Sequence, residues 1–121
     1  MDGLIRTIAG VDYVNDSKAT NLDALEKALL SATKPIVLIA GGKDKGFAFD
    51  SIAKLVGEKV RHAILIGEIA PRIAEDWKSA TDCELAKSLG AAVERAQAAA
   101  RSGETVLFSP GTSSFDMFKS Y

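Results

Sequence analysis

Cysteine is almost missing from this sequence. Cys83 stands alone, which excludes an intramolecular disulfide and any cysteine-rich metal site. Histidine is as scarce: with His62 the only one, neither a histidine-rich metal site nor a histidine-based nucleophile pair can be assembled. No P-loop pattern occurs, so a self-sufficient nucleotide hydrolase is excluded as well. Neither sign of charge is in excess. Fifteen Lys and Arg against 16 Asp and Glu give a net charge of -1, which leaves no basic footprint for nucleic acid or for an anionic membrane. No apolar run comes near the about 18 residues that span a bilayer, and Met1-Asp2-Gly3 does not open a basic, apolar signal sequence. These absences predict a soluble, unexported protein of a reducing cytoplasm.

What is present reads as one domain. A chain of 121 residues, 47% hydrophobic and 26% charged, is long enough to bury roughly two thirds of its unfolded surface. Residues 4–9 and 11–14 are short β-favouring runs hinged at Gly10, which predicts an opening hairpin. A polar stretch follows, Asn15-Asp16-Ser17-Lys18-Ala19-Thr20-Asn21, and Asn21 is placed to cap a helix with Leu22, Leu25, Ala28 and Leu29 on one face. Pro35 introduces residues 36–40, an apolar run without alternation, as a parallel strand buried on both faces requires. That strand enters Gly41-Gly42-Lys43-Asp44-Lys45-Gly46. Asp50 or Ser51 is then placed to cap a helix burying Ile52, Leu55 and Val56.

The grammar repeats. Residues 62–66 predict a strand ending at Gly67-Glu68, and Pro71 starts a helix with Ile73, Ala74 and Trp77 inward. A weaker strand lies near residues 83–86. Ser88 caps a helix whose apolar positions are Leu89, Ala92, Val93, Ala96 and Ala100, with Gly103 as its C-terminal stop. Residues 105–108 are the last strand, 109–114 its loop, and a final helix begins at Phe115 and ends with the chain after about two turns, as in a piece of a longer protein.

Strands alternating with helices predict an α/β, three-layer, Rossmann-like domain with a mostly parallel sheet, the opening hairpin, and helices on both faces. All strand-to-helix loops then share one edge. On that edge fall Asp16 to Thr20, Gly41 to Gly46, and Ser109 to Ser114. Lys18, Lys43 and Lys45 bring positive charge; Thr20, Ser113 and Ser114 bring hydroxyls close to helix N-termini, whose free N–H groups favour anions. A carboxylate or phosphate ligand is implied. Against this stands the plainer possibility that Gly41 and Gly42 only turn the chain and the lysines remain in water. His62 reads as a partly exposed edge residue, Cys83 as a small buried apolar one, and Trp77 as helix-to-sheet packing.

The heptapeptide at 15–21, the segment Ile39-Ala40-Gly41-Gly42-Lys43-Asp44-Lys45, and the stretch from Leu107-Phe108-Ser109-Pro110 to Phe118-Lys119 together resemble the C-terminal domain of the Mur ligase family, in its D-glutamate-adding branch. The resemblance runs over nearly the whole chain, 1–121, which would be a single amino-acid-binding domain of a three-domain enzyme. It implies an ATP-dependent amide ligase that adds D-glutamate to UDP-N-acetylmuramoyl-L-alanine during cytoplasmic synthesis of peptidoglycan precursors. In that family ATP activates the substrate carboxylate as an acyl phosphate, which the D-glutamate amine attacks. The P-loop and the Mg2+ ligands belong to a domain outside this chain, so no metal ligand is expected here, and the domain by itself should be inactive. Carried over by motif position, Asp16 contacts the ATP ribose, and Lys18 lies near the phosphates and the incoming amino acid as the catalytic lysine. Thr20, Lys45, Ser114, Phe115 and Tyr121 bind D-glutamate. A monomer without nucleic-acid or membrane partners is expected. The alternatives are a stand-alone anion- or nucleotide-binding module of the same fold, or the same domain from a sister Mur or folylpolyglutamate ligase.

Overall fold

The computed structural model of the chain describes residues 4–15, 22–42, 46 and 48–111. Strands β1 (Leu4–Ile8) and β2 (Val11–Asn15) form the expected antiparallel hairpin. Ala9 and Gly10 at its tip have φ of 53° and 80°, the two positive values that a tight type I′ connection needs. Gly10 meets the conformational demand of that turn, and a Cβ there would also displace the Ser102 hydroxyl, 2.3 Å away.

Helix α1 (Leu22–Ser31) follows and buries Leu25 and Leu29, with Leu22 and Ala28 packed beside them. Its heptad-like apolar spacing therefore faces the sheet as the pattern implied. Strand β3 (Ile36–Gly41) is buried at every position, because it lies between two strands and under helices on both faces. A 3-10 turn at Phe49–Ile52 leads into α2 (Ala53–Lys59), followed by β4 (Val60–Ile66), α3 (Ala70–Trp77), β5 (Asp82–Leu85), α4 (Leu89–Ala99) and β6 (Thr105–Gly111).

The six strands are ordered β1-β2-β6-β3-β4-β5, and every neighbouring pair except β1–β2 is parallel. From β2 the chain steps across to β3, β4 and β5, with α1, α2 and α3 all on one face. It then reverses direction to reach β6, and α4 packs on the other face, against Val37, Ile39, Ile64, Ile66, Val106 and Phe108. Crossovers of one hand that reverse direction must change face, which is why a single late helix covers the second side. The result is three layers with helices on both faces.

Four local expectations are corrected. Asp50 and Ser51 do not cap α2: they lie inside the 3-10 turn, Ile52 occupies the position before the helix, and no side chain caps it. The turn forms because Phe49 and Ile52 are both buried, and Phe49 meets Trp77 edge-to-face at 6.0 Å while the Trp77 indole N–H donates to the Phe49 carbonyl at 2.8 Å. Gly103 does not stop α4. The helix ends at Ala100 in an extended conformation, and Gly103, at φ 90°, belongs to the turn that Glu104 N–H closes onto the Arg101 carbonyl. His62 is partly exposed as expected but not at the edge: it lies within β4, second from the sheet edge, and its Nε2 is 3.0 Å from Glu84 Oε1 on β5. Finally, Ser109, Pro110 and Gly111 continue β6, where Gly111 is paired with Gly41 of β3.

Candidate functional site at the carboxyl edge of the sheet

Strands β2, β6 and β3 are adjacent and parallel, so their carboxyl ends open on the same edge. Asn15 is paired with Phe108, Ile39 with the same Phe108, and Gly41 with Gly111. At the usual strand spacing the stems of the first and second loops are therefore about 10 Å apart, with the stem of the third between them. This is the edge on which open α/β sheets bind ligands. Helices α1 and α3 begin on it, and so does α4, whose start is occupied: Ser88 Oγ accepts the Ala91 N–H at 3.1 Å.

Asp16, Lys18, Thr20, Lys45, Ser114, Phe115 and Tyr121, and with them Lys43 and the predicted last helix, lie outside the described residues. Their strand stems are described, and these converge. The stem of the second loop is built from backbone alone. Gly41 and Gly42 stand at φ 136° and 119°; the Gly42 N–H donates to the Ile66 carbonyl at 3.0 Å, and the Ile69 N–H donates to the Gly42 carbonyl at 3.0 Å. A Cβ on Gly41 would lie 1.9 Å from the Ile66 oxygen. These glycines thus do more than turn the chain, because no other residue lets the end of β3 lie so close to the end of β4. Gly67, at φ 80°, completes the contact from the other side. The sequence marks it only as a glycine closing an apolar run.

Other charged groups are committed to the fold. At the opposite edge a concavity of about 420 Å³ is lined by Lys34, Lys59 and Arg61 among others. Lys34 pairs with Asp12 at 2.8 Å, Lys59 donates to the Ala32 carbonyl at 3.1 Å, and Arg61 binds Glu104, so each of these cations already has a partner within the chain. Hydrogen bonds from Lys34 and then Thr7 hold the Asp12 carboxyl below its ordinary range. Burial pushes the Cys83 thiol up, with the charge of Asp82 adding to the effect, which keeps it a thiol rather than a reactive thiolate. Among the described residues no three His, Cys, Asp or Glu side chains group closely enough to hold a metal ion. Nor is any described helix long and apolar enough to cross a membrane.

Residues 3–112 match the family described as Mur ligase, glutamate ligase domain. The chain belongs to this family. Among curated relatives, the UDP-N-acetylmuramoylalanine–D-glutamate ligase of Geobacter metallireducens is 52% identical over 98% of the chain, and that of Syntrophotalea carbinolica 50% over 98%. The chain spans 26% of the length of each, about a quarter. Among solved structures, a Psychrobacter arcticus murein peptide ligase superposes with a TM-score of 0.67 at 13% identity, over 98% of this chain and 28% of that one. A domain assigned to a Haemophilus ducreyi UDP-N-acetylmuramate:L-alanyl-gamma-D-glutamyl-meso-diaminopimelate ligase does so with a TM-score of 0.58 at 10% identity, over 97% of this chain and 93% of that one. At such identities the structures speak for the fold alone, and it is the three-layer, mostly parallel α/β domain that the alternation of elements predicted.

Proposed function

We propose that this chain is the amino-acid-binding domain of an ATP-dependent ligase that joins D-glutamate to UDP-N-acetylmuramoyl-L-alanine. One observation carries the reading: the three polar loops that match the family's motifs arise from adjacent parallel strands at one sheet edge, in a chain 52% identical to a D-glutamate ligase. An amino acid with two carboxylates needs cationic and hydroxyl donors held on a rigid support, so that its amine is fixed within reach of the activated carboxyl carbon.

In this reading Lys45 and the hydroxyls of Thr20 and Ser114 hold the carboxylates of D-glutamate, and Phe115 and Tyr121 shape its pocket. Asp16 accepts from the ATP ribose. Lys18, from the same loop, lies between nucleotide and amino acid, where an ammonium stabilises charge developing on the transferred phosphoryl group and on the tetrahedral oxyanion. ATP, Mg2+ and the UDP-sugar substrate are held mainly by domains outside this chain. The chain works as a monomeric unit of a cytoplasmic enzyme. A stand-alone anion-binding module is not favoured, because relatives at this identity are named as ligases.

The test is a chimera in which this chain replaces the matching C-terminal quarter of the Geobacter metallireducens ligase. ADP release that depends on D-glutamate and not on L-glutamate is the expected result, with none from the chain alone. A folded chimera whose ADP release ignores D-glutamate, together with an isolated chain whose amide signals stay unmoved by it, would overturn the proposal.

A further inference from the structure

We infer that Gly67 is a positioning residue for the D-glutamate site, acting through the backbone of Gly42. The inference rests on the reading that the loop after Gly42 carries Lys45 to the D-glutamate carboxylates. Both backbone hydrogen-bonding groups of Gly42 are held by the connection between β4 and α3: its N–H by the Ile66 carbonyl and its carbonyl by the Ile69 N–H, each at 3.0 Å. Gly67 sits between those two partners. A Cβ built on it would lie 2.8 Å from the Gly42 carbonyl oxygen and 2.9 Å from both its Cα and its nitrogen.

These contacts are backbone on backbone, so no side chain can rotate out of the way. Any residue with a Cβ at position 67 must push Gly42 outward or break the two hydrogen bonds that orient it. Gly42 directs the chain into residue 43, and Lys45 follows three positions on. A displaced Gly42 shifts the point at which that loop leaves the sheet, and misplacement of a binding group by about 1 Å is enough to cost up to about 100-fold.

Close approach distinguishes Gly67 from glycines that serve conformation alone. Gly103 also has positive φ, 90°, yet a Cβ there would meet nothing within 4 Å, and it lies in the turn before β6, at the opposite edge of the sheet. Gly67→Ala and Gly103→Ala therefore share the strain of a left-handed alanine and differ in the displacement of Gly42.

In the chimeric ligase, Gly67→Ala should raise the KM for D-glutamate at least about 10-fold and leave the KM for ATP within about twofold. Gly103→Ala should leave both within about twofold. A merely structural role for Gly67 would lower the active fraction, and so kcat, with KM unchanged; that result would overturn the inference while leaving the proposed function intact. A chimera indifferent to D-glutamate would instead overturn the function and the inference with it. Should Gly67→Ala fail to fold, the unsubstituted chimera decides by amide hydrogen exchange. D-glutamate should slow exchange at Gly42 and Ile69 at least about 10-fold and not at Gly103, and unchanged exchange at Gly42 and Ile69 would overturn the inference.

Discussion

Glu104 is the buried charge among the described residues, 6% exposed, and it is satisfied from three directions. Arg61 donates to it through both Nε and a terminal nitrogen, the latter at 2.8 Å, and the Arg101 N–H donates at 2.7 Å. Arg61 is held in turn by the Ala99 carbonyl at 2.6 Å. The Arg61 hydrogen bond, more than any other influence, keeps the Glu104 carboxyl below its ordinary range despite burial. Removing one partner strands the other, so Glu104→Ala should destabilise the fold by about 2–3 kcal/mol, less than for a fully buried pair because Arg61 is one-third exposed. A carboxylate with a depressed folded pKa stabilises above its unfolded value of about 4.3 and loses that contribution as pH falls through the folded one. The gap between wild type and Glu104→Gln in urea denaturation should therefore be full near neutrality and shrink in acid. A gap that grows on acidification would contradict the sign. None of this was legible in the chain, where Glu104 is one acid among 16 and its partner lies 43 residues away.

At the level of elements, apolar spacing carried the assignment and capping chemistry only part of it. Strand β3 declared itself through five unbroken apolar residues after Pro35, and α4 through Ser88 and the positions of Ala92, Val93 and Ala96. Helix α2 was found by its stripe, but its start was misread. A polar residue ahead of an apolar run looks like a cap, whereas here the chain turns because Phe49 is drawn under Trp77, 28 residues on. Two kinds of substitution separate these cases. Ser88→Ala should cost about 1 kcal/mol, since the Ala91 N–H loses its acceptor. Asp50→Ala and Ser51→Ala, at exposed positions within the turn, should each stay within about 0.5 kcal/mol of wild type. Thermal unfolding of the three variants reads both outcomes, and a cost at Asp50 or Ser51 equal to that at Ser88 would restore a capping role.

For the whole molecule, the division of labour between loops is what matters. If the loop after β2 serves both ligands and those after β3 and β6 serve the amino acid, substitutions in the chimeric ligase should separate by KM. Lys45→Ala should raise the KM for D-glutamate by about 10-fold or more, as loss of a charge-assisted contact of about 1.5–3 kcal/mol does, with the KM for ATP unchanged. Asp16→Ala should do the reverse. Steady-state kinetics with each substrate varied in turn decide it, and parallel effects on both KM values from both variants would sink the division.

Local chemistry was sufficient for the kinds of element, their order, the carriers of charge and hydroxyl, and the family motifs, because hydrophobic period, turn residues and short motifs are properties of neighbours in sequence. Three things required the fold. The insertion of β6 between β2 and β3 makes neighbours of loops that begin 96 residues apart in the chain, at Asn15 and Gly111. The burial of Glu104 needs Arg61 from β4. The clamp of Gly42 by Ile66, Gly67 and Ile69 needs β3 and β4 side by side. Each is a contact between distant segments, and a chain encodes such contacts only through the free energy of the whole packed state.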